Sequence, residues 1–283
     1  MMKSKSESAD KSFRIASIQM VSTTSVEANL KTAKKLIKTA IGHGAEMVVL
    51  PEYFAIFAKD SAQRERAVEV HTKGRVYRFL SNQAKENKIW IIGGSHPVVT
   101  NSQSFETKPF GRCYIFNPDG RYVCHYDKIH LFDVQVEDSH KRYVESEYTA
   151  QGNEVCCFDS PWGKIGVAIC YDIRFPELFR KLSEKGVRIF IVPAAFTKVT
   201  GQAHWFPLLK ARAIENLCYT VAAAQGGLHE NGRETFGHSC IISPWGAIVA
   251  DKEQGDGVVV ADLDLTHLQQ LRHDFPALTH RRL

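Results

Sequence analysis

A thiol, a carboxylate and an amine each stand at the end of an apolar run in this chain. Cys170 closes Lys164-Ile-Gly-Val-Ala-Ile and opens Tyr171-Asp-Ile-Arg-Phe-Pro-Glu177. Glu52 follows Met47-Val-Val-Leu-Pro51, and Lys128 follows Tyr126-Asp127 and precedes Ile-His-Leu131. A buried strand that delivers a cysteine to a helix start can make a nucleophile, because the positive helix N-terminus favours thiolate over thiol. A carboxylate at the mouth of a buried strand is costly to desolvate unless something uses or pairs it. Lys128 alone reads as a solvated surface lysine. As a set, the three supply a nucleophile, a general base and a cation for a developing oxyanion, which is what acyl transfer to a thiol requires. Cys113, Cys124, Cys156, Cys157, Cys218 and Cys240 lie within strand or hairpin patterns and read as small buried residues.

These groups need elements to hold them. Residues 14–20 read as a strand. Val26, Leu30, Ala33, Ile37 and Ile41 then form one helical face that stops at Gly42 and Gly44. A buried strand over 47–50, a helix over 75–87 and a strand over 89–92, halted by Gly93-Gly94, continue the alternation. That order predicts adjacent buried strands with helices outside. The middle of the chain reads as hairpins: 113–124 around Asn117-Pro-Asp-Gly120, and two more that share Ser-Pro-Trp-Gly at 160–163 and 243–246. A strand over 188–192, a helix over 204–216 and a strand over 219–224 complete the pattern. The expectation is mixed sheets packed face to face in one domain over 13–283, after a disordered polar tail over 1–12.

Composition narrows the function class. The chain has 283 residues, 44% of them hydrophobic, with a net charge of +5 and no long Lys/Arg run. Nucleic-acid binding gains no support from that balance. No apolar run approaches membrane-spanning length, and the tail lacks the apolar centre of a signal peptide. Seven scattered cysteines with no CxxC pattern fit reduced thiols in a cytoplasmic protein. His125 and His130 lack partners at zinc-like spacing, and Gly93-Gly94 belongs to no GxGxxG or P-loop pattern. No metal site or nucleotide site is expected.

Leu-Pro-Glu52, Tyr-Asp-Lys128-Ile-His-Leu and Ile-Cys170-Tyr-Asp-Ile-Arg-Phe-Pro-Glu resemble the three signature blocks of the nitrilase superfamily of carbon–nitrogen hydrolases. The resemblance covers nearly the whole chain after the tail, in the family's order. It implies an α/β fold, a four-layer α-β-β-α sandwich with two mixed sheets, that forms homodimers and uses no metal or cofactor. It also implies Glu52 as general base, Lys128 as oxyanion stabiliser and Cys170 as nucleophile. A second glutamate beside the lysine best matches Glu145, with Glu147 as the alternative. Residues 193–205, 211–215 and 222–229 resemble the deaminated-glutathione amidase branch. Cys170-Tyr-Asp, where true nitrilases usually have Cys-Trp-Glu, favours an amide substrate over a nitrile.

The expected reaction is attack of Cys170 on the carboxamide of a small 2-oxo acid amide, giving a thioester, ammonia and then the acid. Lys128 is expected to favour the thiolate and, with the Tyr171 N–H, to hold the oxyanion. Arg174 reads either as a helix-surface arginine or as a clamp for a substrate carboxylate, with Phe196 and Thr197 lining the opposite wall. Alternatives are an ω-amidase acting on 2-oxoglutaramate or 2-oxosuccinamate, a carbamoylase, or an inactive binding scaffold. The helix around 175–182 and the segment 271–280 are the candidate dimer surfaces.

Overall fold

The computed structural model describes residues 12–101, 107–138 and 140–282; the tail predicted over 1–12 lies, apart from Ser12, outside the described residues. The first half runs β1 (Phe13–Gln19), α1 (Val26–Gly42), β2 (Met47–Val49), α2 (Ser61–Arg66), β3 (Glu69–Val70), α3 (Arg75–Asn87), β4 (Trp90–Ile92), β5 (His96–Val99), β6 (Phe110–Phe116), β7 (Tyr122–Asp127), β8 (Asp133–Gln135) and β9 (Arg142–Val144). The second half runs β10 (Cys157–Ser160), β11 (Gly163–Val167), α4 (Pro176–Glu184), β12 (Val187–Ala194), α5 (Lys198–Asn216), β13 (Tyr219–Ala224), β14 (Ser239–Ile242), β15 (Ile248–Lys252), β16 (Gly257–Leu263) and α6 (Leu265–Asp274).

Two mixed sheets result. One has the order β16-β1-β2-β4-β6-β5-β3, with β7 paired to β6; the other has the order β10-β11-β12-β13-β14-β15. In the first, β1, β2 and β4 run parallel, and in the second β11, β12 and β13 do. Successive side chains of a strand point to opposite faces, and here both faces are buried. Thus Ile15, Met47, Val49, Ile92 and Ile115 join the core that also holds Val167, Ile191 and Val221 of the second sheet. The intervening Ala16, Ile18, Val48 and Ile91 pack instead on Leu30, Ala33 and Ile37 of α1 and Val76, Leu80 and Ala84 of α3. On the far side, Leu178, Phe179 and Leu182 of α4 and Leu209 and Ala213 of α5 cover the second sheet. The layers are therefore α-β-β-α, as the sequence resemblance implied.

Local chemistry explains several boundaries. Ser25 caps α1 by accepting from the Ala28 N–H, and Thr197 caps α5 by accepting from the Thr200 N–H. The 113–124 hairpin forms as predicted: Asn117 and Arg121 close the turn between β6 and β7. Gly94 has φ +59°, and a Cβ there would collide with the Pro51 carbonyl. The Gly-Gly pair is thus a close approach beneath the Glu52 turn. The helix predicted over 204–216 in fact starts at Lys198. Leu178, Phe179 and Leu182 are buried in this chain's own core, so the apolar side of the 175–182 helix is not available as a dimer surface. In the other candidate segment, Phe275 stays half exposed and packs edge-on against Trp245. No helix among the described residues is long and apolar enough to cross a membrane.

Candidate active site

The carboxyl ends of the parallel strands converge, and β2, β11, β12 and β13 each supply one part of the site. Glu52 sits in the turn after β2, Cys170 after β11, Ala195 to Thr197 after β12 and Gln225 after β13. Lys128 directly follows β7. All but Gln225, which lies behind the Glu52 turn, meet in a cavity of about 390 Å³ lined by Glu52, Lys128, Glu145 and Cys170 and walled by Tyr53, Tyr171 and Phe196, among others.

At its floor, the buried Lys128 ammonium donates to Glu52 Oε1 at 2.8 Å and to Glu145 Oε2 at 2.7 Å. Glu145 accepts further bonds from the Tyr53 hydroxyl and the Phe132 N–H. Glu147, two residues on, is exposed. Geometry therefore selects Glu145 as the lysine's second carboxylate. Gln225, fully buried, donates from Nε2 to the Glu52 carbonyl and to Ser22 Oγ, which fixes the Glu52 turn against the second sheet. Every polar atom of this buried cluster needs such a partner, since an orphan would cost about 1–3 kcal/mol.

Cys170 adopts φ +51°, and Tyr53, next to Glu52, adopts φ +56°. Such left-handed backbone in non-glycine residues costs on the order of 1–3 kcal/mol and persists where the surroundings enforce it. At the Cys170 turn, Asp172 supplies the anchoring bonds. It is fully buried; Oδ1 accepts from the His130 N–H and from His130 Nδ1, and Oδ2 from the Ile169 N–H and the Tyr126 hydroxyl. With a carboxylate opposite, His130 must carry its proton on Nδ1. One side chain thus ties the Lys128 segment to the Cys170 turn. Asp172→Asn would turn an N–H₂ toward two of these four donors. We expect it to lower stability by about 2–4 kcal/mol and to depress turnover, measured by thermal unfolding and steady-state kinetics.

Charge states follow from burial. Desolvation pushes the Glu52 carboxyl above its usual range, with Lys128 pulling the other way. Burial opposes the Lys128 charge, but Glu145 and Glu52 overcome it and hold the ammonium well above an ordinary lysine. Burial also raises the Cys170 thiol well above its usual value; Glu52 adds to this, and Lys128 offsets it only in part. Lys128 thus favours the thiolate as expected, but burial and Glu52 outweigh it. Lys128 is shared by two carboxylates, and the segment after Cys170 is a five-residue 3₁₀ turn, Cys170–Arg174, ahead of α4. So short a turn carries little dipole. Both groups are thus shifted upward where the Cys170 thiol meets the Glu52 carboxyl, and the Ala195 N–H is directed at the sulfur.

Tyr171, Phe196 and Thr197 line the cavity, as the sequence suggested; Arg174 is not among the lining residues. Its guanidinium instead contacts His204 Nδ1 at 3.2 Å and lies 5.4 Å from the Phe196 ring centre, on the exposed side. The arginine that does border the cavity is Arg233, which local sequence pattern did not single out. Tyr53, Tyr143, Tyr148 and Asp172 were likewise missed, although Tyr53 and Asp172 lie within two residues of Glu52 and Cys170.

The carbon-nitrogen hydrolase family model matches residues 14–273. With three independent blocks meeting in one buried cluster, the chain belongs to the carbon–nitrogen hydrolase family and is a hydrolase of non-peptide carbon–nitrogen bonds. Among curated relatives, a deaminated glutathione amidase from Synechocystis is 40% identical over 274 residues, covering 96% of this chain and 98% of its own. The human protein of that name is 39% identical over 272 residues, covering 95% and 82%. Among solved structures, the C. elegans NitFhit protein superposes with a TM-score of 0.87 at 35% identity, over 96% of this chain and 66% of the other. Saccharomyces cerevisiae Nit3, a nitrilase-superfamily member, gives 0.85 at 31% identity, covering 96% and 97%.

Proposed function

We propose that this protein is a cysteine-dependent amidase that hydrolyses the amide of a 2-oxoglutaryl group, with deaminated glutathione as its preferred substrate. The observation that carries the reading is the buried Lys128 bridge between Glu52 and Glu145 in the cavity that holds Cys170. The curated relatives' shared name supports the substrate.

Glu52 takes the thiol proton as Cys170 Sγ bonds to the amide carbon. The carbonyl oxygen becomes an oxyanion held by the Lys128 ammonium and the Tyr171 N–H. Glu145 orients the ammonium and keeps it charged. The carbon–nitrogen bond then breaks, Glu52 returns the proton to the departing nitrogen, and an acyl thioester remains. A water gives its proton to Glu52 and attacks the thioester; the carbon–sulfur bond breaks and the thiol is restored. Phe196 walls the acyl group, and Thr197 and Thr200, whose hydroxyls lie 2.8 Å apart, offer polar contacts to the 2-oxo acid end. Deaminated glutathione has only secondary amides, so its departing group is cysteinylglycine; ammonia leaves from a primary amide such as 2-oxoglutaramate. Both share one acyl group. A cytoplasmic setting is part of the proposal, supported by seven free cysteines.

The test compares 2-oxoglutarate formation from deaminated glutathione and 2-oxoglutaramate. We expect turnover of both, with the higher kcat/KM for deaminated glutathione. The reverse preference would favour the ω-amidase reading, and no product from either would refute both. The pH profile follows from the charge states. Protonation of Glu52 removes the base, and its carboxyl is raised, so activity falls on acidification while still above the ordinary carboxylate range. Cys170 is also raised, so no alkaline loss accompanies the ordinary thiol range. A profile with limbs at the two ordinary values contradicts this assignment.

A further inference from the structure

A second cavity, about 520 Å³, adjoins the catalytic one and shares Tyr53, Tyr148 and Arg233 with it. Its walls are mainly apolar, with Ile56, Phe57 and Pro109 among them, yet two guanidinium groups border it, those of Arg233 and of Arg64 on α2. No aspartate or glutamate lines it. Among the described residues, no ion pair within 4.0 Å involves either arginine. Arg233 lies over the Phe57 ring at 4.9 Å and the Tyr143 ring at 5.0 Å, and its Nε is sealed from solvent without a hydrogen-bond partner. Arg64 sits 3.5 Å from the Tyr148 ring centre. Rings hold a guanidinium in place but bring no carboxylate to its N–H edges; the side-chain partner of Arg233 there is the neutral Tyr143 hydroxyl.

The loop that carries Arg233 is tied down. Asn231 donates to the Ala58 carbonyl and accepts from the Arg233 N–H. His229 bonds Ser22 and Thr235 and stacks on Phe57 at 3.9 Å. A held arginine, half in each cavity and free of acid partners, is a fixed recognition group.

We propose that Arg233, assisted by Arg64, forms an anion subsite for a carboxylate on the departing amine, remote from the amide that is cut. This deepens the proposed function and rests on it. The thioester formed from 2-oxoglutaramate and from deaminated glutathione is the same, so preference between them must arise on the departing side. The far carboxylate of cysteinylglycine suits an apolar passage that ends in two guanidinium groups.

The experiment pairs protein and ligand changes. Wild type, Arg233→Gln and Arg64→Gln are each assayed on deaminated glutathione and on its C-terminal carboxamide, which keeps size and loses charge. We expect wild type to favour the carboxylate form by about tenfold or more in kcat/KM. Arg233→Gln should bring that ratio toward one, and Arg64→Gln should lower it in part. A wild-type ratio near one, or an unchanged ratio in Arg233→Gln, overturns the subsite. Equal loss on both ligands is such a result, since it places Arg233 on the acyl side. If Arg233→Gln does not fold, the wild-type ratio and Arg64→Gln decide. Failure of wild type to cut either compound sinks the deaminated-glutathione reading and the subsite with it, and 2-oxoglutaramate turnover then tells whether an amidase remains.

Discussion

Cys170→Ser is expected to remove roughly 10⁴-fold or more of the amidase activity while leaving the fold intact. Serine nearly preserves volume, and the site's other charges do not depend on the sulfur. Its hydroxyl, however, is a far weaker acid than a thiol, and Glu52 is a carboxylate, too weak a base to offset that difference in a buried pocket. The raised thiol therefore relies on Glu52 to take its proton as it attacks. Stopped assays with long incubation measure the residual rate, and thermal unfolding checks that structure is retained. Activity within tenfold of wild type would mean that the sulfur is not the attacking atom.

Lys128→Met is the second large effect, and it strikes stability and rate together. The substitution leaves Glu52 and Glu145 buried without their shared cation. Breaking a buried ion pair by removing one partner costs about 3–5 kcal/mol, and for a chain of this size that corresponds to roughly 10 °C in Tm. The pH dependence has a definite sign. Burial already raises Glu52, and Lys128 is what pulls it down, so the variant's carboxyl rises further. A carboxyl raised on folding loses stability as pH climbs from its unfolded value through its folded one. The deficit is thus largest at about pH 8 and smaller at about pH 5. Melting curves of wild type and variant at both values measure it; a deficit that grows on acidification contradicts the account. Loss of the oxyanion donor alone should cut the rate by about a hundredfold to a thousandfold.

What could be read in the sequence was whatever a short window expresses. Glu52 and Cys170 announce themselves because an uninterrupted apolar run stops at, or just before, each of them. Asn117-Pro-Asp-Gly120 announces its hairpin because those residues set the turn's dihedrals. The start of α5 was hidden because Lys198-Val-Thr-Gly is a poor helix former; the Thr197 cap and burial of Trp205 override it. The pairing of β1 with β16 joins Phe13 to Leu263, a contact that no local pattern encodes. Asp172 carries no sign that four donors from two segments will meet on it. Arg233 sits in a polar loop like any surface arginine until the fold brings Phe57 and Tyr143 under it. The thiol's surroundings were hidden for a related reason: sequence shows a lysine that favours thiolate but not how completely the fold buries the sulfur, which outweighs it.

The central claim is that one sulfur on Cys170 accepts the acyl group from every substrate before water does. The most direct measurement is hydroxylamine partitioning during turnover of 2-oxoglutaramate and deaminated glutathione, with acid-quenched enzyme examined by peptide mass spectrometry. The account predicts a hydroxamate from both, in the same ratio to 2-oxoglutarate at each hydroxylamine concentration. Any mass increment should be one acyl group less one hydrogen, confined to the Cys170 peptide. Different ratios for the two amides, or turnover with no hydroxamate at all, would contradict a shared thioester.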